Sequence, residues 1–320
     1  MSTLRSLVRA IGLQALGGLA TWVIVAVVAV NVDAASLDLV AVLLLFGQLV
    51  IVPLGLLLVP DAVDTPAGAL TRGGRVLFRV GGLTAIAALV IPRGELSAAV
   101  AALYLVPALL VGASAVLDAR RIRSESDGAG VVARLLLLGG ALLFVLHRQD
   151  IAFGGLPELS LQLGAVHLHF VGFGLLLMAS ALARRGSRAG TWACWLLAAG
   201  SLPASIGAIV HPALAVVGSV PVLGGLMAVT AGTLPLLADG HVRPAARRLL
   251  FVSLACSVFV ALLAMQSLLG APSGEIGSMV RLHGSFAAIG VVFAGLLGWR
   301  LVEGSRAADP SARVSDSFAE

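Results

Sequence analysis

The chain has 320 residues, of which 59% are hydrophobic and only 12% are charged. Soluble globular domains carry about 25% charged residues, so this composition excludes a soluble domain and predicts an all-α polytopic membrane protein. The formal net charge is +5, and all 21 basic residues are arginines. They occur in small clusters between apolar segments, which is typical of topology signals and not of a nucleic-acid-binding surface.

Ten apolar segments are each long enough to cross a bilayer, which requires about 20 residues. In chain order, we predict spans at residues 11–30, 37–60, 76–92, 96–117, 131–147, 159–183, 191–210, 213–237, 249–270 and 280–301. The first is expected to remain as a span and not to be removed as a signal peptide. We therefore expect one transmembrane domain over residues 1–303 and a disordered cytoplasmic tail over 304–320.

The arginines alternate between the two sides of this predicted bundle. Only Arg93, Arg148 and Arg281 fall on the side opposite to all the others. Because loops that remain in the cytoplasm are enriched in positive residues, the side with most arginines is predicted to be cytoplasmic. Both termini are then cytoplasmic as well.

Polar side chains within and beside the spans concentrate in the outer half of the membrane. In chain order, these candidate site residues are His147, Glu158, Gln162, His167, His169, His211, Arg281 and His283. Ionisable groups at membrane depth are costly unless they face a cavity or a partner, so their placement suggests a function. For His147 and His211, which end spans, an interfacial role is an equally good explanation.

The segment AVHLHFVGFG at residues 165–174 places two histidines inside the sixth span. On an α-helix, His167 and His169 are about 200° apart, so one metal ion is not easily held by both. Either they address different neighbours, one facing a cavity and the other an adjacent helix, or Gly164 and Gly172 permit a distortion that brings both to one site. The face of His169 is the more polar of the two.

This segment is followed about 110 residues later by RLHGSFAAIG at residues 281–290. The pair of motifs resembles the YndJ-like family of bacterial membrane proteins, in which a His-x-His segment with an aromatic residue and Gly-Phe precedes an Arg-x-His-Gly element. Phe170 and Gly172-Phe173 stand at the matching positions, whereas Ser285 to Ala287 lack the asparagine expected there. The resemblance implies a multi-span helical protein of the bacterial cytoplasmic membrane in which His167, His169 and His283 form one site. It implies no activity.

Two kinds of membrane enzyme are compatible with these residues. In the first, His167, His169 and His283, with a carboxylate such as Glu158, bind a transition metal. As a variant, opposed histidines from the sixth and tenth spans are the axial ligands of a haem. In the second, the same histidines and Glu158 perform acid–base catalysis on a lipophilic substrate. In either case, the expected substrate-binding residues are Gln162, Arg281, His147 and His211.

A proton-coupled transporter or permease is the main alternative, and a purely structural membrane protein is another. Against transport, the cytoplasmic half is expected to lack titratable groups that would complete a path. A transporter would also be expected to have broken helices near Pro53, Pro107, Pro203 and Pro221. An enzyme would be expected to have a dead-end polar cavity that opens to the outside or to the outer leaflet.

Overall fold

The computed structural model describes residues 12–32, 37–60, 64–149, 158–268 and 280–308. Within these ranges the chain is helical and contains no strand. Seven of the described helices are uninterrupted, and the other three contain π-helical turns, in which the backbone hydrogen bonds reach one residue further than in an α-helix. The prediction of an all-α fold is confirmed.

We number the helices α1 to α10 in chain order. The uninterrupted ones are α1 (Leu13–Val32), α3 (Pro66–Val90), α4 (Glu95–Ala119), α5 (Glu125–Arg148), α7 (Arg188–Val210), α8 (Pro212–Ala238) and α9 (Pro244–Leu268). Helix α2 comprises Leu39–Phe46, the π-helical Gly47–Ile51 and Val52–Leu56. Helix α6 comprises Glu158–His167, the π-helical Leu168–Leu175 and Leu176–Ala183. Helix α10 comprises the π-helical Val280–Gly284 and Phe286–Phe293, followed by Ala294–Ala308.

Each predicted span overlaps one of these helices, although several helices begin five to ten residues before the predicted bound. In the described ranges, nine helices are long and apolar enough to cross a membrane, and α7 is the further long helix. The protein is therefore a multi-pass membrane protein. Helices α3 and α5 begin well before their apolar stretches because Thr65 and Ser124 cap them, accepting hydrogen bonds from the backbone N–H groups of Gly68 and Asp127. The last helix continues to Ala308, past the expected start of the tail, and residues 309–320 lie outside the described ranges.

Helices α2, α6 and α10 form the centre of the bundle. Most of their residues are buried, whereas α1 is largely exposed. Their π-helical segments contact one another, and the Phe46 ring lies 6.3 Å from the Phe170 ring and 5.6 Å from the Phe293 ring. The irregular segment of α2 immediately precedes Pro53, which has no N–H to donate to the Leu49 carbonyl. By contrast, Pro107, Pro203 and Pro221 lie within uninterrupted helices.

One end of the bundle, which we call the arginine-rich end, is organised around the end of α2 and the three residues that follow it. Arg75 from α3 donates to the carbonyls of Leu56 and Val59, and Arg300 from α10 donates to that of Leu57 at 2.7 Å. Arg184, after α6, donates to the Leu58 carbonyl and to Glu303. Arginines from three predicted cytoplasmic loops therefore meet at one end, as the predicted alternation requires.

At the opposite end, Arg148 closes the turn between α3 and α4. Its guanidinium donates to the Ile91 carbonyl at 2.7 Å and to the Ser97 hydroxyl at 2.8 Å. Arg148 is almost fully buried. This position agrees with its prediction as one of the few arginines on the outer side.

Helices α7 and α8 form a close antiparallel pair. His211 connects them and caps α8, its Nδ1 accepting a hydrogen bond from the Ala213 N–H at 3.1 Å. A Cβ atom at Gly207 or Gly218 would overlap with the backbone of the other helix, so these glycines permit the close approach. The tight turn predicted at His211-Pro212 is present.

Candidate functional site

A cavity of about 300 Å³ lies between α6, α8, α9 and α10. Its walls are mostly aliphatic and aromatic, and Ser219 adds one hydroxyl. Residues that line it include His167, Phe170, Val171, Ser219, Leu223, Val260, His283 and Ala287. Among these described lining residues, His167 and His283 are the only titratable ones.

The two histidines reach the cavity from helices that are far apart in sequence. His167 ends the first α-helical segment of α6 and His283 lies in the first π-helical segment of α10. Both are half-buried. Hydropathy alone cannot predict that the two histidines line the same cavity, because their proximity depends on how α6 and α10 pack across the bundle centre.

His283 presents one unoccupied nitrogen. Its ring hydrogen-bonds to the backbone of Val260 on α9, and its Nδ1 is buried with no hydrogen-bond partner in the part of the chain that the structure describes. A carbonyl oxygen only accepts, so Nε2 carries the hydrogen and Nδ1 retains a lone pair. The His167 ring makes no hydrogen bond or ion pair within the described ranges. Both imidazoles are therefore available to a ligand.

His169 faces away from this cavity. It is fully buried, its Nδ1 lies 2.7 Å from the Ala165 carbonyl oxygen and its Nε2 lies 3.0 Å from the Tyr104 hydroxyl. Nδ1 must donate to the carbonyl, so Nε2 accepts from Tyr104. The ring fits only because residue 140 is glycine: a Cβ there would lie 2.8 Å from Nδ1. His169 thus connects α6 to α4 and packs beside α5.

The arrangement answers the question raised by the two closely spaced histidines. They address different neighbours, one a cavity and the other an adjacent helix, and the π-helical turns that follow do not bring them together. Within the described ranges, no three or more His, Cys, Asp or Glu side chains are grouped to hold a metal ion. Both nitrogens of His169 are occupied by hydrogen bonds, which leaves His167 and His283 as the pair open to a metal.

The other predicted site residues whose side chains the structure describes are not among the residues that line the cavity. Gln162 is buried and its amide donates to the Asp38 carboxylate at 3.4 Å, which ties α6 to the start of α2. His211 is exposed and caps α8, His147 is buried at the end of α5, and Arg281 is exposed. Glu158 is the first residue of α6, and its side chain lies outside what the structure describes.

Two further residues belong to the buried polar set. Tyr104 is not among the predicted site residues. Its position, as the single tyrosine of the chain and in the middle of a span, is a signal from which it could be identified. Gln48, in the π-helical segment of α2, is fully buried, and neither atom of its amide has a hydrogen-bond partner in the described residues. An unsatisfied amide at membrane depth is costly and points to an additional polar group beside it.

Comparison with known proteins adds the family. No curated protein and no solved structure matches the chain. The family model described as YndJ-like protein matches residues 42–291. The match includes His167, His169, Tyr104 and His283, and it extends the sequence resemblance in the second half of the chain to helices α2 to α5. The matched residues make up most of the chain. The chain therefore belongs to the YndJ-like family.

Proposed function

We propose that this membrane protein binds a lipophilic molecule in the cavity between α6, α8, α9 and α10 and acts on its polar end through His167 and His283. The observation that carries the proposal is the placement of two imidazoles in an otherwise apolar cavity. Its volume of about 300 Å³ is at the lower end of the usual range for small-molecule sites, about 300–1,000 Å³. An apolar wall with a few convergent polar groups is typical of such sites.

Acid–base catalysis is the chemistry that these imidazoles support best. The Nδ1 lone pair of His283 can accept a proton from the bound molecule, and His167, on the opposing helix, can donate one. His169 and Tyr104 are positioning residues in this proposal, because they fix the rotation of α6 that directs His167 into the cavity. Glu158 and Arg281 begin the helices that carry the two histidines, and we propose them as polar groups at the entrance.

The site is proposed to open towards the outer face of the bacterial cytoplasmic membrane. Its histidines lie on the half of α6 and α10 that is remote from the arginine-rich end. If that end is cytoplasmic, as the arginine distribution predicts, a lipid of the outer leaflet has the shortest route to the cavity. Nucleic acid has no role in the proposal.

The test is to extract the protein with a membrane-solubilising polymer that retains native lipid and to identify bound lipophilic molecules by mass spectrometry. We expect about one bound molecule per chain in the wild type and at least a five-fold loss in His167→Ala and in His283→Ala. His241→Ala is the matched control, because His241 is exposed in the loop between α8 and α9. Equal retention in all four proteins would refute the proposal.

The same samples decide between proton chemistry and a metal. Elemental analysis and the visible spectrum would be recorded for the wild type and for both histidine variants. A stoichiometric metal or a haem band that is lost in His167→Ala and His283→Ala would replace the acid–base mechanism with a metal-dependent one. For acid–base catalysis, we expect the wild type to retain the bound molecule and to contain no stoichiometric metal.

Transport is the second candidate, and one observation favours it. The arginine-rich half contains a buried polar network: Arg134 is almost fully buried and donates to Asp118 and Ser114. The expected lack of titratable groups on that side therefore does not hold. Gln48, whose amide has no hydrogen-bond partner among the described residues, lies in a central helix of the same bundle. A pH-sensitive dye in proteoliposomes would show proton flux that Gln48→Leu abolishes. Flux identical to that of empty liposomes would exclude a proton-coupled role.

A further inference from the structure

We propose a second binding site, for one phospholipid, in a groove between α1 and α3 near the arginine-rich end. The groove encloses about 340 Å³ and is separate from the histidine cavity. Gln14, Gly17, Thr21, Phe78, Arg79 and Leu83 line it. The phosphate would accept hydrogen bonds from Arg79 and Gln14, and one acyl chain would lie along the apolar part of the groove.

Arg79 is the charged group of this site. It is the fourteenth residue of α3 but only the fourth of the predicted span at 76–92, so it lies about 5 Å along the helix from the start of that span. Its side chain is exposed. Arg75, one turn earlier, donates to carbonyls of α2. Arg79 has no hydrogen bond or ion pair in the described ranges. A cation at the edge of the membrane that has no partner among the described residues is stabilised by a counter-charge or by water.

Gln14 supplies a second unused donor on the facing helix. Its Nε2 atom is buried and has no hydrogen-bond partner in the described residues. A phosphate diester is anionic and only accepts hydrogen bonds, so it satisfies both groups at once. No carboxylate is among the groove residues, so a cationic headgroup finds no partner there. This composition favours an anionic headgroup, such as that of phosphatidylglycerol, over ethanolamine or choline.

The rest of the groove fits an acyl chain. From Gln14 to Thr21 it follows α1 for about 10 Å, and Phe78 and Leu83 provide its apolar wall. The glycine at position 17 leaves it open, since a Cβ there would contact nothing within 4 Å. Helix α1 is also the least buried of the spans, so a bound lipid would cover part of its surface. The groove therefore has one charged and one neutral donor at one end and apolar walls beyond them, as a phospholipid has a polar headgroup and apolar chains.

The test uses native mass spectrometry of delipidated protein titrated with dioleoyl phosphatidylglycerol. Because the histidine cavity is a separate potential lipid site, the titration is carried out in the His167→Ala/His283→Ala background. We expect one tight binding event that Arg79→Gln weakens at least ten-fold and Gln14→Leu weakens about three-fold. Dioleoyl phosphatidylcholine is expected to bind at least three-fold more weakly than phosphatidylglycerol.

Two further variants keep the test decisive. Gly17→Leu fills the groove and leaves Arg79 and Gln14 in the chain, and it is expected to abolish the tight event. It therefore tests the proposal also in the case that Arg79→Gln fails to fold. Arg72→Gln, on the same helix but outside the groove, is the matched control and is expected to bind as the parent does. The proposal is overturned if Arg79→Gln and Gly17→Leu bind lipid as the parent does, or if millimolar inorganic phosphate displaces the lipid, since the site would then recognise free phosphate.

Discussion

At the scale of single residues, two histidines separated by one position have different surroundings. His169 is enclosed by protein and uses both ring nitrogens in hydrogen bonds, to Ala165 and Tyr104. His167 lines a cavity and has no protein partner in the described ranges. The chemical role therefore falls on His167 and on His283, whereas His169 sets the position of the helix that carries the first.

The hydrogen bond between Tyr104 and His169 is expected to stabilise the bundle. Tyr104→Phe removes the hydroxyl donor and leaves the buried Nε2 without a partner, which costs about 1–3 kcal/mol. Thermal unfolding followed by circular dichroism in detergent should show a lower Tm, with the lipophilic molecule still bound. His167→Ala is the converse control, since it should lose the bound molecule and keep the Tm. Unchanged stability of Tyr104→Phe would show that this hydrogen bond does not anchor α6.

At the scale of helices, irregular segments and close glycine contacts shape the bundle. The π-helical part of α2 precedes Pro53, and the Leu49 carbonyl, four residues before that proline, lies directly against Gly18 of α1. A side chain at position 18 would overlap with this carbonyl oxygen. Helix α1 can therefore pack against the interrupted part of α2 only at a position where α1 has a glycine and no side chain.

Two adjacent glycines give a matched pair for this contact. Gly18→Ala should force α1 away from α2 and lower the free energy of unfolding by about 1–3 kcal/mol. Gly17→Ala should be neutral or stabilise by up to about 1 kcal/mol, because its Cβ meets open space and alanine is the better helix former. Denaturation in detergent compares the two. Equal effects would contradict the close approach of Gly18 to Leu49.

The ion pair between α4 and α5 is another contact between helices. Arg134 is almost fully buried and its guanidinium lies 2.8 Å from the Asp118 carboxylate, which is partly exposed. Arg134→Gln should cost about 2–3 kcal/mol, less than for a fully buried pair because water reaches Asp118. Arg121→Gln, which removes an exposed arginine nearby, is the control and should leave the Tm within error. A similar Tm for both variants would show that the buried pair is dispensable.

At the scale of the whole molecule, the two ends of the bundle differ in charge. Arg75, Arg184 and Arg300 meet at the last carbonyls of α2, and Arg148 lies at the other end. These three arginines can reach one cluster of carbonyls only if the chain crosses the membrane an even number of times between one arginine and the next. The bundle therefore agrees with the alternation of arginines along the chain.

Sidedness can be measured directly with two matched substitutions. In a background without the two native cysteines, His211→Cys and His241→Cys place single thiols at exposed positions on opposite ends. A membrane-impermeant maleimide should label position 211 in intact spheroplasts and position 241 only after the membrane is permeabilised. The reverse pattern would invert the topology, and with it the outward opening of the cavity.

The sequence predicted this architecture more completely than it predicted the site. Span positions, charge sidedness and the His211-Pro212 turn depend on local hydropathy, arginine placement and turn chemistry, which are all readable along the chain. The commitment of His169 to Tyr104 and the pairing of His167 with His283 depend on contacts between distant spans. Gln162 shows the same limit: a polar residue near the histidines proved to hold Asp38 on α2.

The most direct test of the central proposal is a cryo-electron-microscopy structure of the protein extracted in native lipid. We expect elongated density in the cavity between α6, α8, α9 and α10, with a polar end within hydrogen-bonding distance of His167 and of Nδ1 of His283. The hydrogen bond between Tyr104 and His169 should be intact beside it. A cavity closed by packed side chains, or a ligand bound at His169 in place of the Tyr104 hydroxyl, would contradict the account.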